Sequence, residues 1–110
     1  MKPLTRIASD FSISPQIAVE DMADFKAAGF KSVICNRPDS EDGGVHPDHH
    51  LIESEAKRLG LDFAYLPVAP GQMNDGHVAE FKMIMSRLPH PAVGYCKMGI
   101  RSKILYERSR

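Results

Sequence analysis

The sequence has no surplus of charge, few cysteines and no long apolar run, and each shortage removes a class of function. Fourteen Lys and Arg balance fourteen Asp and Glu. A duplex-binding surface needs a basic excess to displace counterions, and only the stretch from Lys97 to Arg110 is locally basic. Nothing approaches the roughly 20 apolar residues of a membrane span. Met1 to Phe11 has no apolar signal-peptide core, so the expectation is a cytoplasmic location with neither membrane nor nucleic acid as partner. The two cysteines do not make a disulfide scaffold. In a reducing compartment, a cysteine with no structural task invites a chemical reading. Internal repeats and low-complexity tracts are absent as well. The balance of 43% hydrophobic and 25% charged residues over 110 positions is that of one globular domain, spanning residues 1–110.

What is present alternates between strand and helix patterns. Ile7 lies in a first short strand, with Phe11 to Ile13 able to pair nearby. Val19 to Ala28 reads as a helix with Glu20 and Asp21 in its first turn and Gly29 as its stop. Lys31 to Cys35 reads as a buried strand, and Asn36 to Pro47 as an acidic, Gly-containing loop. A second helix runs from His49 to Leu59, with Leu51, Ile52, Ala56 and Leu59 on one face and Gly60 after it. Phe63 to Val68 is a strand, and a third helix spans Asp75 to Leu88, with Asn74 as N-cap and a stripe of Val78, Phe81, Met85 and Leu88. Met83 and Met85 read as core or near-core packing. Ala92 to Tyr95 is a last strand, and Ser102 to Arg110 a short closing helix. The fold class is therefore α/β, with a mostly parallel central sheet covered by helices on both faces. Sites in such sheets form at the carboxyl ends of strands. The loops after Cys35, after Val68 and from Cys96 all emerge there.

The segment from Cys96 through Lys97, Met98, Gly99, Ile100 and Arg101 to Ser102 joins a buried strand to a helix. Such a loop aims backbone N–H groups and the positive end of the helix at one point, where an anion is held. The same donors stabilise a thiolate, the nucleophilic form of cysteine. Gly99 allows a turn that a Cβ resists. Arg101 can fork two donors onto an oxyanion, and the Ser102 hydroxyl is in place to hydrogen-bond the sulfur.

These residues resemble the phosphatase-like domain of the beta-lactamase-hydrolase-like proteins, a bacterial group also described as sulfurtransferases. The matching stretches are Phe11 to Ile17, Ala28 to Ile34, Asn36-Arg37-Pro38-Asp39, Pro67-Val68, and Tyr95-Cys96 through Gly99 to Arg101-Ser102. The resemblance implies a fold like the dual-specificity phosphatases, with rhodaneses sharing the architecture. It also implies a metallo-hydrolase, persulfide-oxidising domain as a partner, which this chain does not contain. Where the family usually carries small polar or basic residues, this chain has Lys97, Met98 and Ile100, and its cradle is more apolar.

Four residues separate Cys96 from Arg101, one fewer than in the tyrosine and dual-specificity phosphatases. A shorter loop makes a tighter cradle, suited to a single sulfur carried as a persulfide. The reading taken is thus a cysteine-dependent sulfurtransferase acting on a small sulfane-sulfur donor. The alternatives are a cysteine phosphatase acting on a phosphoester, or a catalytically weak anion- or partner-binding module. Cys96 is the expected nucleophile and Arg101 the oxyanion contact. Asp39 is the candidate general acid, and Arg37 a second cation. No cofactor is called for. His46, His49 and His50 cluster without a settled third ligand, so no metal is assigned. Cys35 and Cys96 end strands expected to be adjacent, close enough for a disulfide under oxidant.

Overall fold

Strands of four residues alternate with helices along the chain, and the computed structural model describes residues 3–110. In order these are β1 (Thr5–Ala8), β2 (Phe11–Ser14), α1 (Asp21–Ala27), β3 (Ser32–Cys35), α2 (His49–Arg58), β4 (Asp62–Tyr65), α3 (Asp75–Arg87), β5 (Ala92–Tyr95) and α4 (Ile100–Arg108). One five-stranded sheet results, ordered β1-β2-β5-β3-β4. Only β1 runs antiparallel to its neighbour, and the other pairings are parallel. The expected three-layer α/β architecture is therefore the observed one.

Alternation along the strands sorts the core onto two faces. Val33, Cys35, Val93 and Tyr95 pack with Met22, Phe25, Ile52 and Ala56 of α1 and α2. Ile34 and Ala92 point the other way, toward Phe81, Met85 and Leu105 of α3 and α4. Gly94 is required on that second face: a Cβ there would lie 2.7 Å from Phe11 Cζ. The space it leaves seats the Phe11 ring, which stacks on Tyr106 of α4 with centroids 4.8 Å apart.

Local chemistry sets the helix starts. Asn74 Oδ1 accepts the His77 N–H while the Asn74 N–H donates to His77 Nδ1, each at 3.1 Å, closing a capping box at α3. Asp48 caps α2 by accepting the His50 N–H. Several boundaries differ from the sequence reading. The helix expected from Val19 begins at Asp21, because Ala18 to Asp21 forms a turn in which the Asp21 carboxylate accepts the Ala18 N–H. The strand expected over Phe63 to Val68 covers Asp62–Tyr65, although the Leu66 and Val68 N–H groups still donate to the Cys35 and Asn36 carbonyls, with Pro67 between them on the open edge of the sheet. The closing helix starts two residues early, at Ile100. Met83 is 65% exposed and Leu51 is also exposed, so neither is core. Among the described residues, no helix is long and apolar enough to cross a membrane.

Candidate active site

The four parallel strands end at one edge of the sheet, and β5, between β2 and β3, delivers Cys96 to its middle. The residues after Cys96 fold back over its sulfur. Gly99 takes a left-handed φ of +92° and a Cβ there would come within 3.3 Å of the Ser14 carbonyl, so glycine is needed on two counts. Its N–H donates to Cys96 Sγ at 3.1 Å. The Lys97 carbonyl accepts the Gln16 N–H, fastening the loop to the segment after β2. The α4 N-terminus begins immediately beyond, adding its positive end to the same point.

Arg101 sits in the first turn of α4. Its Nη1 donates to Glu41 Oε1 and to the Val68 carbonyl, both at 2.7 Å, and its Nη2 donates to Glu41 Oε2 at 2.8 Å. Those bonds leave Nε–H and one Nη2–H, which share an edge of the guanidinium, for an anion. Hydrogen bonds donated to Glu41 push the Arg101 pKa up; burial opposes this, and the nearby Cys96 adds to the rise.

Glu41 belongs to the loop after β3, in a single turn over Glu41–Gly44 with Asp42 and Gly43 in left-handed conformations. Its carboxylate also accepts from Arg37 Nε at 2.9 Å. Arg37 continues to Gln16 Oε1 at 3.1 Å and Asp42 Oδ2 at 2.7 Å, and Lys97 Nζ reaches the same Asp42 oxygen at 2.9 Å. Charges thus alternate from Arg101 through Glu41, Arg37 and Asp42 to Lys97. The Arg101 hydrogen bonds hold Glu41 below the usual carboxylate range against the cost of burial, with Arg37 assisting. Lys97 likewise lowers Asp42. Glu41 and Asp42 are functional-site residues that sequence reasoning missed, although the Arg37–Glu41 spacing of four was a visible hint.

The structure brings Cys96, Lys97, Gly99, Arg101 and Arg37 together, and gives other candidates different work. Ser102 is fully buried, and its hydroxyl donates to Asn36 Oδ1 at 2.8 Å instead of to the sulfur. Asn36 in turn donates to the Leu66 carbonyl at 2.9 Å, so the pair ties the loops after β3 and β4 to α4. Asp39, expected as general acid, has both oxygens engaged by α2: the His49 N–H at 2.8 Å and His49 Nδ1 at 2.6 Å. Burial raises its pKa, but the His49 contacts prevail and hold it below the usual range. The His49 ring stacks on Tyr65 at 3.5 Å, which keeps the pair in place. Asp48, His49 and His50 offer nitrogen and oxygen atoms within 4.8 Å of one another, but Asp48 is already the α2 cap and His49 the partner of Asp39.

Met98 and Ile100 contribute backbone to the loop while their side chains stand outward, 68% and 60% exposed. With Pro70 and Gly71 opposite, they wall a cavity of about 270 Å³ that also reaches Cys96 and Arg101. Cys35 is opposite Tyr95 in the β3–β5 register, and its thiol faces the α1–α2 core, donating to the Arg37 carbonyl at 3.4 Å. Burial pushes its pKa up to about 11. Both cysteines are buried free thiols, Cys96 lining the cavity and Cys35 packed in the core.

The family described as beta-lactamase hydrolase-like protein, phosphatase-like domain, matches residues 3–110. A beta-lactamase hydrolase-like protein of Agrobacterium fabrum is 32% identical over 101 residues, covering 92% of this chain and 23% of its own length. The chain therefore spans under a quarter of that relative. Among solved structures, a candidate phosphatase of Neisseria meningitidis superposes with a TM-score of 0.84 at 28% identity, covering 93% of this chain and 72% of its own. The core catalytic domain of a PP-IP phosphatase of S. cerevisiae shares the fold at a TM-score of 0.67 and 14% identity, covering 100% of this chain and 76% of its own. The family is described as phosphatase-like and both solved structures as phosphatases, which favours the phosphatase alternative over the sulfurtransferase reading. On a match that runs from residue 3 to the last position, the chain belongs to the phosphatase-like domain family of the beta-lactamase hydrolase-like proteins.

Proposed function

We propose that this domain is a cysteine-dependent phosphomonoester hydrolase. The observation that carries the reading is the Cys96 sulfur at the floor of a cavity, receiving the Gly99 N–H beside an Arg101 guanidinium with one edge left over. A phosphoryl group seated there meets the Nε–Nη2 edge of Arg101 and the α4 N-terminus. The Cys96 thiolate attacks phosphorus, and the S–P bond forms as the P–O ester bond breaks. Water then attacks phosphorus, releasing inorganic phosphate and regenerating the thiolate. Glu41, Asp42 and Asp39 are all held in the ionised form by cationic or N–H partners. None of these three is therefore assigned as the general acid, and leaving groups that are stable as anions are favoured. The test is turnover of p-nitrophenyl phosphate by the wild type and by Cys96→Ser, with acid-quench capture of a phosphocysteine. Absence of both turnover and adduct would reject the reading.

A second reading, sulfur transfer through a Cys96 persulfide, is favoured by the charge balance. Glu41 and Asp42 offset two of the three cations Arg37, Lys97 and Arg101. A dianionic phosphoryl group gains less from that field than from an uncompensated one, whereas a sulfane sulfur does not depend on it. Mass spectrometry of Cys96 after thiosulfate, scored for one added sulfur atom, separates the two.

A further inference from the structure

We infer that the cavity beside Cys96 is a seat for an apolar body, and that the ligand of this site is a small amphipathic monoester whose anion lies on the Cys96–Arg101 loop. The inference refines the substrate of the hydrolase proposed above and rests on that site. Met98 and Ile100 are the two side chains of the cradle that leave it, and both present most of their surface to solvent next to the nucleophile. Neither belongs to the buried core clusters on the two faces of the sheet. Pro70 and Gly71 line the same open cavity, so its lining is mainly apolar beside the buried Cys96 and the half-buried Arg101. The apolar strip continues past the first cavity. Ile104 follows Ile100 by one turn of α4 and lines a second cavity of about 310 Å³ with Met73 and Ala69, sharing Gly71 and Arg101 with the first. The charged residues lining the cavities are Lys97, Arg101 and Arg108, and their carboxylate partners Asp42, Glu41 and Asp75 lie outside the lining.

That combination selects a ligand. Cations at the base and apolar walls above favour a molecule with one anionic end and one hydrophobic end, since each part meets its like. A polyol or sugar phosphate would gain little from covering the exposed Met98 and Ile100 side chains, because its hydroxyls have no apolar surface to bury there. The volume of about 270 Å³ lies near the low end of the roughly 300–1,000 Å³ typical of small-molecule sites. It suits one or two fused rings better than a folded partner.

The experiment measures binding without turnover. Calorimetric titration of Cys96→Ser compares 2-naphthyl phosphate, methyl phosphate, inorganic phosphate and a phosphotyrosine peptide. The expected result is that 2-naphthyl phosphate binds at least about tenfold more tightly than methyl or inorganic phosphate. In Cys96→Ser carrying Met98→Ser and Ile100→Ser, the ratio of 2-naphthyl phosphate to inorganic phosphate affinity falls toward one; circular dichroism checks that the exposed replacements leave the fold intact. Equal affinity for the three small phosphates would overturn the inference. So would a loss in the triple variant shared equally by inorganic phosphate, or a clear preference for the peptide. Wild-type protein that binds 2-naphthyl phosphate preferentially but neither hydrolyses it nor forms an adduct would reject the hydrolase reading and leave the apolar seat standing.

Discussion

Glu41 grips Arg101 by both η nitrogens, at 2.7 and 2.8 Å, across 60 residues of sequence. This contact, completed by the Val68 carbonyl, decides which edge of the guanidinium remains for an anion over Cys96. On the proposed hydrolase reading, Glu41 is a positioning residue that acts through Arg101.

Glu41→Gln removes a charge from a pair whose side chains are only 9% and 15% exposed, and leaves Arg37 short of a partner as well. The expected stability loss is about 2–3 kcal/mol, with kcat/KM falling and inorganic phosphate bound more weakly. The pH dependence has a definite sign. Glu41 is held below its unperturbed 4.5, so its stabilisation is complete above about that pH and is lost as pH falls through the lower folded value. Urea unfolding from pH 7 to 3 should show a smaller acid-side decline in Glu41→Gln than in wild type. Parallel curves would remove Glu41 from the account.

Arg101→Lys keeps the charge but cannot bond Glu41 and Val68 while still offering a planar edge. Turnover is expected to drop by about 10²–10³, the range seen when an oxyanion donor is deleted. Steady-state kinetics on an aryl phosphate reads this directly, and a change under threefold would contradict the geometry.

Two glycines answer to different constraints. Gly99→Ala strains a φ of +92° and pushes on the Ser14 carbonyl, costing about 1–2 kcal/mol and displacing the cradle. Gly94→Ala drives a methyl to 2.7 Å from the Phe11 ring, costing about 1–3 kcal/mol by overpacking. Thermal melts should show both losses. Cys96 alkylation should change far more in the Gly99 variant, because only that glycine donates to the sulfur.

Asp39→Asn tests the displaced general acid. Its carboxylate bonds His49 through both oxygens, so the variant should lose about 1 kcal/mol of stability with kcat for p-nitrophenyl phosphate within a few-fold of wild type. Abolished turnover, with a lost basic limb in the pH–rate profile, would restore the catalytic assignment.

Cys35 should be inert. Burial raises its pKa to about 11 and its thiol faces the core, so thiolate is scarce at neutral pH. Iodoacetamide on folded protein is expected to label Cys96 alone, and peroxide to carry Cys96 toward sulfinic acid with Cys35 still reduced. A Cys35–Cys96 disulfide in non-reducing peptide maps would show that the core opens to admit the exchange.

Much of this molecule was legible locally. The Val78–Phe81–Met85 stripe and the Asn74 cap define α3 because helical periodicity and capping are properties of neighbouring residues. The same holds for β5 and for Cys96 as its exit, since a buried strand followed by a glycine-bearing turn is written in consecutive positions. Only the fold decided the chemistry around them. Crossover connections bring the loop after β3 onto α4, and a left-handed turn at Asp42 and Gly43 then sets Glu41 against Arg101. The same crossovers pair Ser102 with Asn36, 66 residues away, and His49 claims Asp39 at the start of α2. A side chain's partner depends on which strands lie side by side and on where each loop turns back. That geometry arises only when distant segments pack.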